Sequence, residues 1–223
     1  MQPRTFSVLL PALLVGPILA AGLGGWATIT VEDLPEHVVA GQPVELTYTV
    51  RQHGVDRLRG LKGRVEASLG RVERTAAAEA GTRAGQYTAT ITLPEPGSWT
   101  IMIRSGFGNS NSKLLPIRVV SANARVAAMA PAERGKNLFV AKGCVGCHTH
   151  QNVGGETLAD IGPDLTTQRF QADYLAKYLR DPSIKTPTTR TQRMPDLELK
   201  EPEIAALIAF LNAGRGTAVS GER

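Results

Sequence analysis

The 223-residue sequence predicts a multidomain chain: an N-terminal signal or anchor helix, then an all-β sandwich, then an all-α domain. Three observations predict it. No charge occurs from Phe6 to Ile29. Short runs of alternating apolar and polar residues recur from 28 to 120. After residue 131 the apolar positions switch to helical spacing, around a Cys-x-x-Cys-His stretch. The parts are residues 1–27 (signal peptide or transmembrane anchor), 28–120 (sandwich), 121–130 (linker) and 131–223 (helical domain).

The N-terminal part opens with a short basic stretch ending at Arg4, followed by VLLPALLVGPILAAGLGG. Small residues at Ala20/Gly22 or Gly25/Ala27 would suit a signal peptidase, and residues 6–29 are long enough to span a bilayer. Pro11 and Pro17 would kink such a helix without excluding it. Arg4 would keep the N-terminus inside the cytoplasm and the rest outside.

The β part reads as six runs. These are Thr28–Glu32, Pro43–Arg51, Lys62–Leu69, Gly85–Leu93, Ser98–Arg104 and Leu114–Val120. In the clearest, Val44, Leu46, Tyr48 and Val50 share one face, as do Tyr87, Ala89, Ile91 and Leu93, and as do Trp99, Ile101 and Ile103. Period-two alternation in several short runs with Pro-Gly and Ala-Gly turns predicts an antiparallel sandwich. Ser105–Ser112 reads as a polar loop and 121–130 as a linker. The segments AGQPVELTY at 40–48 and PEPGSWT at 94–100 resemble the immunoglobulin-like FixH/YtkA group of exported domains, which implies an immunoglobulin-like sandwich. A copper site would need His37, His53 and Met102 to converge, which nothing in the sequence requires, and a binuclear copper centre would need two cysteines that this part lacks.

Net charge is +5 and diffuse: residues 28–130 hold 12 basic and 9 acidic side chains, residues 131–223 hold 12 and 11. No dense basic run occurs, so nucleic acid is not an expected partner. Both cysteines lie in Cys144-Val145-Gly146-Cys147-His148, which leaves none for a structural disulfide.

That pentapeptide matches the attachment signature of a c-type haem. A bare Cys-x-x-Cys also occurs in zinc sites, redox dithiols and disulfides. A structural zinc usually takes four ligands, and the chain has no second Cys pair. His150 is too close to His148 in sequence to reach the opposite side of a shared metal.

Three helices are expected in the last part. Pro131–Lys142 starts with proline in its first turn and ends before Gly143. Gln171–Arg180 has Tyr174, Leu175, Tyr178 and Leu179 as its apolar stripe and stops at Asp181-Pro182. Glu203–Leu211 repeats Ile204, Leu207, Ile208 and Leu211 at helical spacing.

With Gly135, Phe139, Gly143, the Cys-x-x-Cys-His stretch, Gly162-Pro163-Asp164-Leu165, Met194-Pro195 and the terminal helix in this order, residues 133–213 resemble a class I (monohaem) cytochrome c. The resemblance implies the all-α cytochrome c fold and one covalent haem c on Cys144 and Cys147. It also implies His148 as proximal ligand, a Pro163 carbonyl that orients the imidazole, and Met194 as distal ligand. The metal ligands would be His148 and Met194. Gly135 would let the first helix cross the last opposite Phe210. The family's short polar cap before the last helix is missing, with Lys200-Glu201-Pro202 there instead.

His/Met ligation leaves no open position on the iron and favours the ferrous state relative to bis-imidazole. The resemblance therefore implies an electron carrier, not an enzyme, exported to the periplasm or the outer face of the cytoplasmic membrane and possibly held there by residues 6–29. Its partners would be a redox donor and acceptor, with Lys185, Arg190 and Arg193 facing an acidic surface. The alternative is an accessory cytochrome subunit of a larger membrane respiratory or photosynthetic complex, with the β domain as docking module.

Overall fold

The computed structural model describes residues 25–153, 161–185 and 194–213. The signal or anchor call falls almost wholly outside them, as do Arg190 and Arg193. Ala27–Ile29, at the end of the uncharged run, belong to the first strand, so a membrane segment could not extend as far as Ile29. Among the described residues no helix is long and apolar enough to cross a membrane.

Among the described residues eleven strands form two sheets: β1 Ala27–Val31, β2 His37–Val39, β3 Pro43–Gln52, β4 Asp56–Arg57, β5 Arg64–Leu69, β6 Val72–Ala77, β7 Glu79–Ala80, β8 Gln86–Thr92, β9 Gly97–Arg104, β10 Asn111–Lys113 and β11 Ile117–Val120. One sheet runs β1-β3-β8-β7, with β4 on β3; the other runs β2-β11-β9-β5-β6, with β10 on β9. Alternation puts Leu46, Tyr48 and Val50 against Trp99, Ile101 and Ile103 in one core, each with no exposed surface. Tyr48 pairs with Tyr87 across β3 and β8, their rings stacked at 5.9 Å.

The expected antiparallel sandwich has one exception: β2 and β11 pair in parallel. The run at Leu114–Val120 becomes strand only from Ile117, after Pro116, which has no N–H to give a ladder. The polar loop expected at Ser105–Ser112 ends in β10, which pairs with β9. Strand β6 was not legible in the sequence, because as an edge strand its side chains stay exposed or half-buried and carry no apolar alternation.

Strand β1 corrects the sequence reading most usefully. Its alternating residues predict one wet face, yet all five positions are buried. Thr28, Thr30, Thr49, Arg51 and Gln86 form a polar outer face of this sheet that is nonetheless buried. Gly143, Lys142 and Glu198 of the helical region meet Thr28, Thr30 and Arg51, while Thr49 and Gln86 bond to Glu32.

That region holds α1 Pro131–Ala141, α2 Ala172–Arg180 and α3 Glu201–Asn212. Helices α1 and α3 pack closely at Gly135, where an added Cβ would lie 1.9 Å from the Ala206 carbonyl oxygen and 2.7 Å from Phe210 Cβ. Leu175 and Leu179 of α2 face the core, while Tyr174, expected in the same stripe, is half exposed and stacks on Tyr178. Helix α3 starts two residues before the expected Glu203. Pro202 fits its first turn, and the Glu203 carboxylate accepts the Lys200 backbone N–H at 3.0 Å, replacing the missing short cap.

Candidate functional site

Helix α1 ends at Ala141 with Lys142 as its cap, and Gly143 turns the chain with φ of 81°. An added Cβ at Gly143 would lie 2.7 Å from the Ile29 carbonyl oxygen, so this turn presses on strand β1. A single 3₁₀ turn over Cys144–Gly146 follows, and the His148 N–H closes it on the Cys144 carbonyl at 2.9 Å. The Cys-x-x-Cys spacing thus becomes one compact turn with the imidazole at its end.

The next chain segment to pass the imidazole supports it. The Gly162 N–H donates to the Cys147 carbonyl at 2.9 Å. A Cβ on Gly162 would sit 2.6 Å from the His148 ring, so only glycine lets the backbone pass there. Nδ1 of His148 lies 3.0 Å from the Pro163 carbonyl oxygen. A carbonyl can only accept, so Nδ1 carries the proton and the neutral ring keeps its lone pair on Nε2. Burial holds the imidazole pKa below its ordinary value, against the opposing pull of the Pro163 carbonyl. That favours the neutral form a metal needs.

Cys144, Cys147, His148 and Met194 line one cavity of about 600 Å3. Leu165, Leu175, Leu179, Leu197, Leu207 and Leu211 supply much of its wall, and among the described residues Lys185 is the only charged one lining it. Burial, then the neighbouring Cys147, pushes the Cys144 thiol up to about 12, and burial also raises Cys147. Both therefore stay protonated thiols at neutral pH. A cavity walled by leucines, with two adjacent thiols, a neutral imidazole and a thioether, fits a flat apolar macrocycle whose metal takes one nitrogen and one sulfur ligand. His148 and Met194 would hold the iron and the two cysteines the porphyrin edge.

The other candidates stay out of the cavity. His150 does not line it; its ring lies 4.5 Å from that of Phe210 and 6.0 Å from that of Phe139. His37 is on β2 and His53 follows β3, in different sheets. Among the described residues no three His, Cys, Asp or Glu side chains converge as a metal cluster.

Residues that the sequence did not single out join this region to the sandwich. Lys142 is buried and reaches the Glu203 carboxylate at 2.7 Å and the Glu32 carbonyl at 2.7 Å. Arg134 donates to the Leu34 carbonyl at 2.6 Å. Glu198 accepts from Arg51 at 3.0 Å, from Arg83 at 2.6 Å and from Arg57. Burial, then repulsion by Arg57, pulls the Arg51 pKa down to about 10. Lysines, arginines and glutamates read as solvated surface in a sequence, so no pattern marked these contacts.

No curated protein matches the chain. Among solved structures it is similar to domains 4 and 5 of the S-layer protein SbsC, at 27% identity over 42% of this chain and 51% of that one, with a TM-score of 0.30. The chain therefore spans about half the length of that structure. It is also similar to native E. coli alpha-2-macroglobulin (14% identity, 52% of this chain and 8% of that one, TM-score 0.35). The ZirS C-terminal domain matches at 11% identity over 54% of this chain and 87% of that one, with a TM-score of 0.35. Residues 132–214, which include the haem signature, Gly162-Pro163, Met194 and α3, match the cytochrome c family, and the helical region carries a cytochrome c domain.

Proposed function

We propose that the protein transfers electrons through one haem c bound covalently by Cys144 and Cys147, with His148 and Met194 as axial ligands, outside the cytoplasm and in association with the membrane. The supporting observation is the His148 imidazole. Its Nδ1–H is committed to the Pro163 carbonyl at 3.0 Å, in a cavity shared with both thiols and the only methionine after the haem motif. The haem supplies reversible one-electron chemistry between ferric and ferrous iron. The chain's own contribution would be to fix the ring orientation, exclude water with leucine side chains and hold the iron through His148 and Met194.

The test uses the full chain made in a host that attaches haem. Alkaline pyridine should give the spectrum of a haem with both vinyl groups saturated, at one per chain, and the reduced protein should resist carbon monoxide. Haem that extracts into acidified acetone, or a ready carbon monoxide adduct, would overturn the proposal.

Lys185 and the half-exposed Tyr174 both line the cavity. With Arg190 and Arg193 it would steer an acidic redox partner. Reversing all three charges should slow partner reduction at low salt, and an unchanged rate would rule the steering out. Further subunits copurifying after mild detergent extraction would instead mark an accessory subunit of a membrane complex.

A further inference from the structure

The segment between Met194 and α3 contains a sharp turn. The Glu198 N–H donates to the Asp196 side chain at 2.8 Å, and Glu198 itself sits at φ of 57°, a left-handed conformation rare for glutamate. The turn sends neighbouring side chains to opposite tasks. Leu197 is buried against the haem cavity, while the Glu198 carboxylate reaches the sandwich and accepts from Arg51 and Arg57 of β3 and β4 and from Arg83 before β8. Next to Met194, the Pro195 ring lies under the turn after β3, where a Cβ on Gly54 would be 3.1 Å from Pro195 Cγ. At the far end, Lys200 pairs with Asp33. Among the described residues, the ion-pair partners of this segment, Arg51, Arg57, Arg83 and Asp33, all belong to the sandwich.

We infer that the sandwich is a clamp for the distal haem ligand, and that Glu198 with Arg51, Arg57 and Arg83 are positioning residues that act through Met194. This rests on the reading of Met194 as the iron's sulfur ligand. An unheld thioether would spend more time away from the iron. The clamp then keeps the sixth position closed and the potential at the His/Met level. A carboxylate shared by three guanidiniums suits this task, because charge-assisted hydrogen bonds are the stronger and more directional kind.

The experiment compares four ferric holoproteins: the parent, Glu198→Asn, the double variant Arg57→Ala/Arg83→Ala, and Arg134→Ala. Asparagine tolerates the left-handed backbone, so the first variant removes the charge without adding strain. The double variant alters only the sandwich and leaves residues 194–200 intact. Arg134→Ala removes a contact between the same two regions on α1, which does not carry Met194. The readouts are the methionine-to-iron charge-transfer band, the midpoint potential and the rate of imidazole binding. In Glu198→Asn and in the double variant the band should weaken, the potential should fall, and imidazole should bind about tenfold faster, the scale of one hydrogen bond to a charged group. Arg134→Ala should leave all three unchanged, even if it unfolds at lower temperature. A parent with the band, whose two clamp variants keep its intensity and imidazole rate, overturns the clamp alone. So does an Arg134→Ala protein that changes as much as they do. A parent without the band overturns the ligand assignment and the clamp with it.

Discussion

In the sandwich, Leu46, Tyr48, Val50, Trp99, Ile101 and Ile103 meet one another and leave no surface exposed. In the helical region, Leu175, Leu179, Leu207 and Leu211 border a cavity that also takes two thiols, an imidazole and a thioether. The sandwich completes its core with its own side chains. The helical region arranges its apolar walls around a site for something else. The two parts also use polar groups oppositely. Among the described residues the sandwich core buries no charged side chain, whereas the seam between the parts buries Lys142, Glu203 and Arg51. Burial without a partner would cost these charges several kcal/mol each, and all three are partnered. The seam is therefore specific, and it fixes how the cavity is presented.

The sharpest way to break the contrast is to remove the thiols. Cys144→Ser/Cys147→Ser should abolish acid-stable haem completely, while near-ultraviolet circular dichroism from buried Trp99 stays intact. Loss of the Trp99 signal would mean that the sandwich also depends on the haem.

Next comes the seam. Lys142→Met or Glu203→Leu alone strands a buried charge and should cost about 3–5 kcal/mol, whereas the double variant should recover most of it. Denaturant midpoints across the four proteins measure the coupling. The pH response follows from burial, which holds the Lys142 pKa below the ordinary 10.5 despite Glu203. Between the folded value and 10.5 the unfolded chain binds more protons, so stability rises with pH in that window. Lys142→Met should lack this rise.

Smaller effects distinguish close packing from backbone geometry. Gly135→Ala drives a methyl into the Ala206 carbonyl and should cost about 3 kcal/mol or more. Gly41→Ala in the sandwich meets nothing within 4 Å and should cost about 1 kcal/mol, from its φ of 77° alone. Equal losses in thermal scans would contradict the packing at Gly135. The smallest effect belongs to Arg180→Ala. Its bidentate pair with Glu201 is exposed at both ends, so the unfolding midpoint should not move measurably.

The same contrast explains what could be read from sequence. Strands β3, β8 and β9 were legible because one face is buried against the core, and period two records that directly. Strand β6 was not, since an edge strand has little buried face to record. Strand β1 was legible as a strand but not as buried on both sides, because its second cover comes from residues more than a hundred positions away. At the site, the thiols, His148 and Met194 stand out by residue type and order alone. Gly162 stands in the Gly-Pro-Asp-Leu motif, but its reason, the His148 ring where a Cβ would sit, is visible only in space. Lys142 and Glu198 left no trace, because nothing in a sequence separates a buried lysine or a clamped glutamate from a solvated one.

The ligand set is tested most directly by the near-infrared charge-transfer band of the ferric full chain, compared with its Met194→Ala variant. The parent should show the methionine-to-iron band and the variant should lose it while keeping covalent haem. A band absent from the parent, or one that survives in Met194→Ala, would contradict the assignment of His148 and Met194 as the two axial ligands.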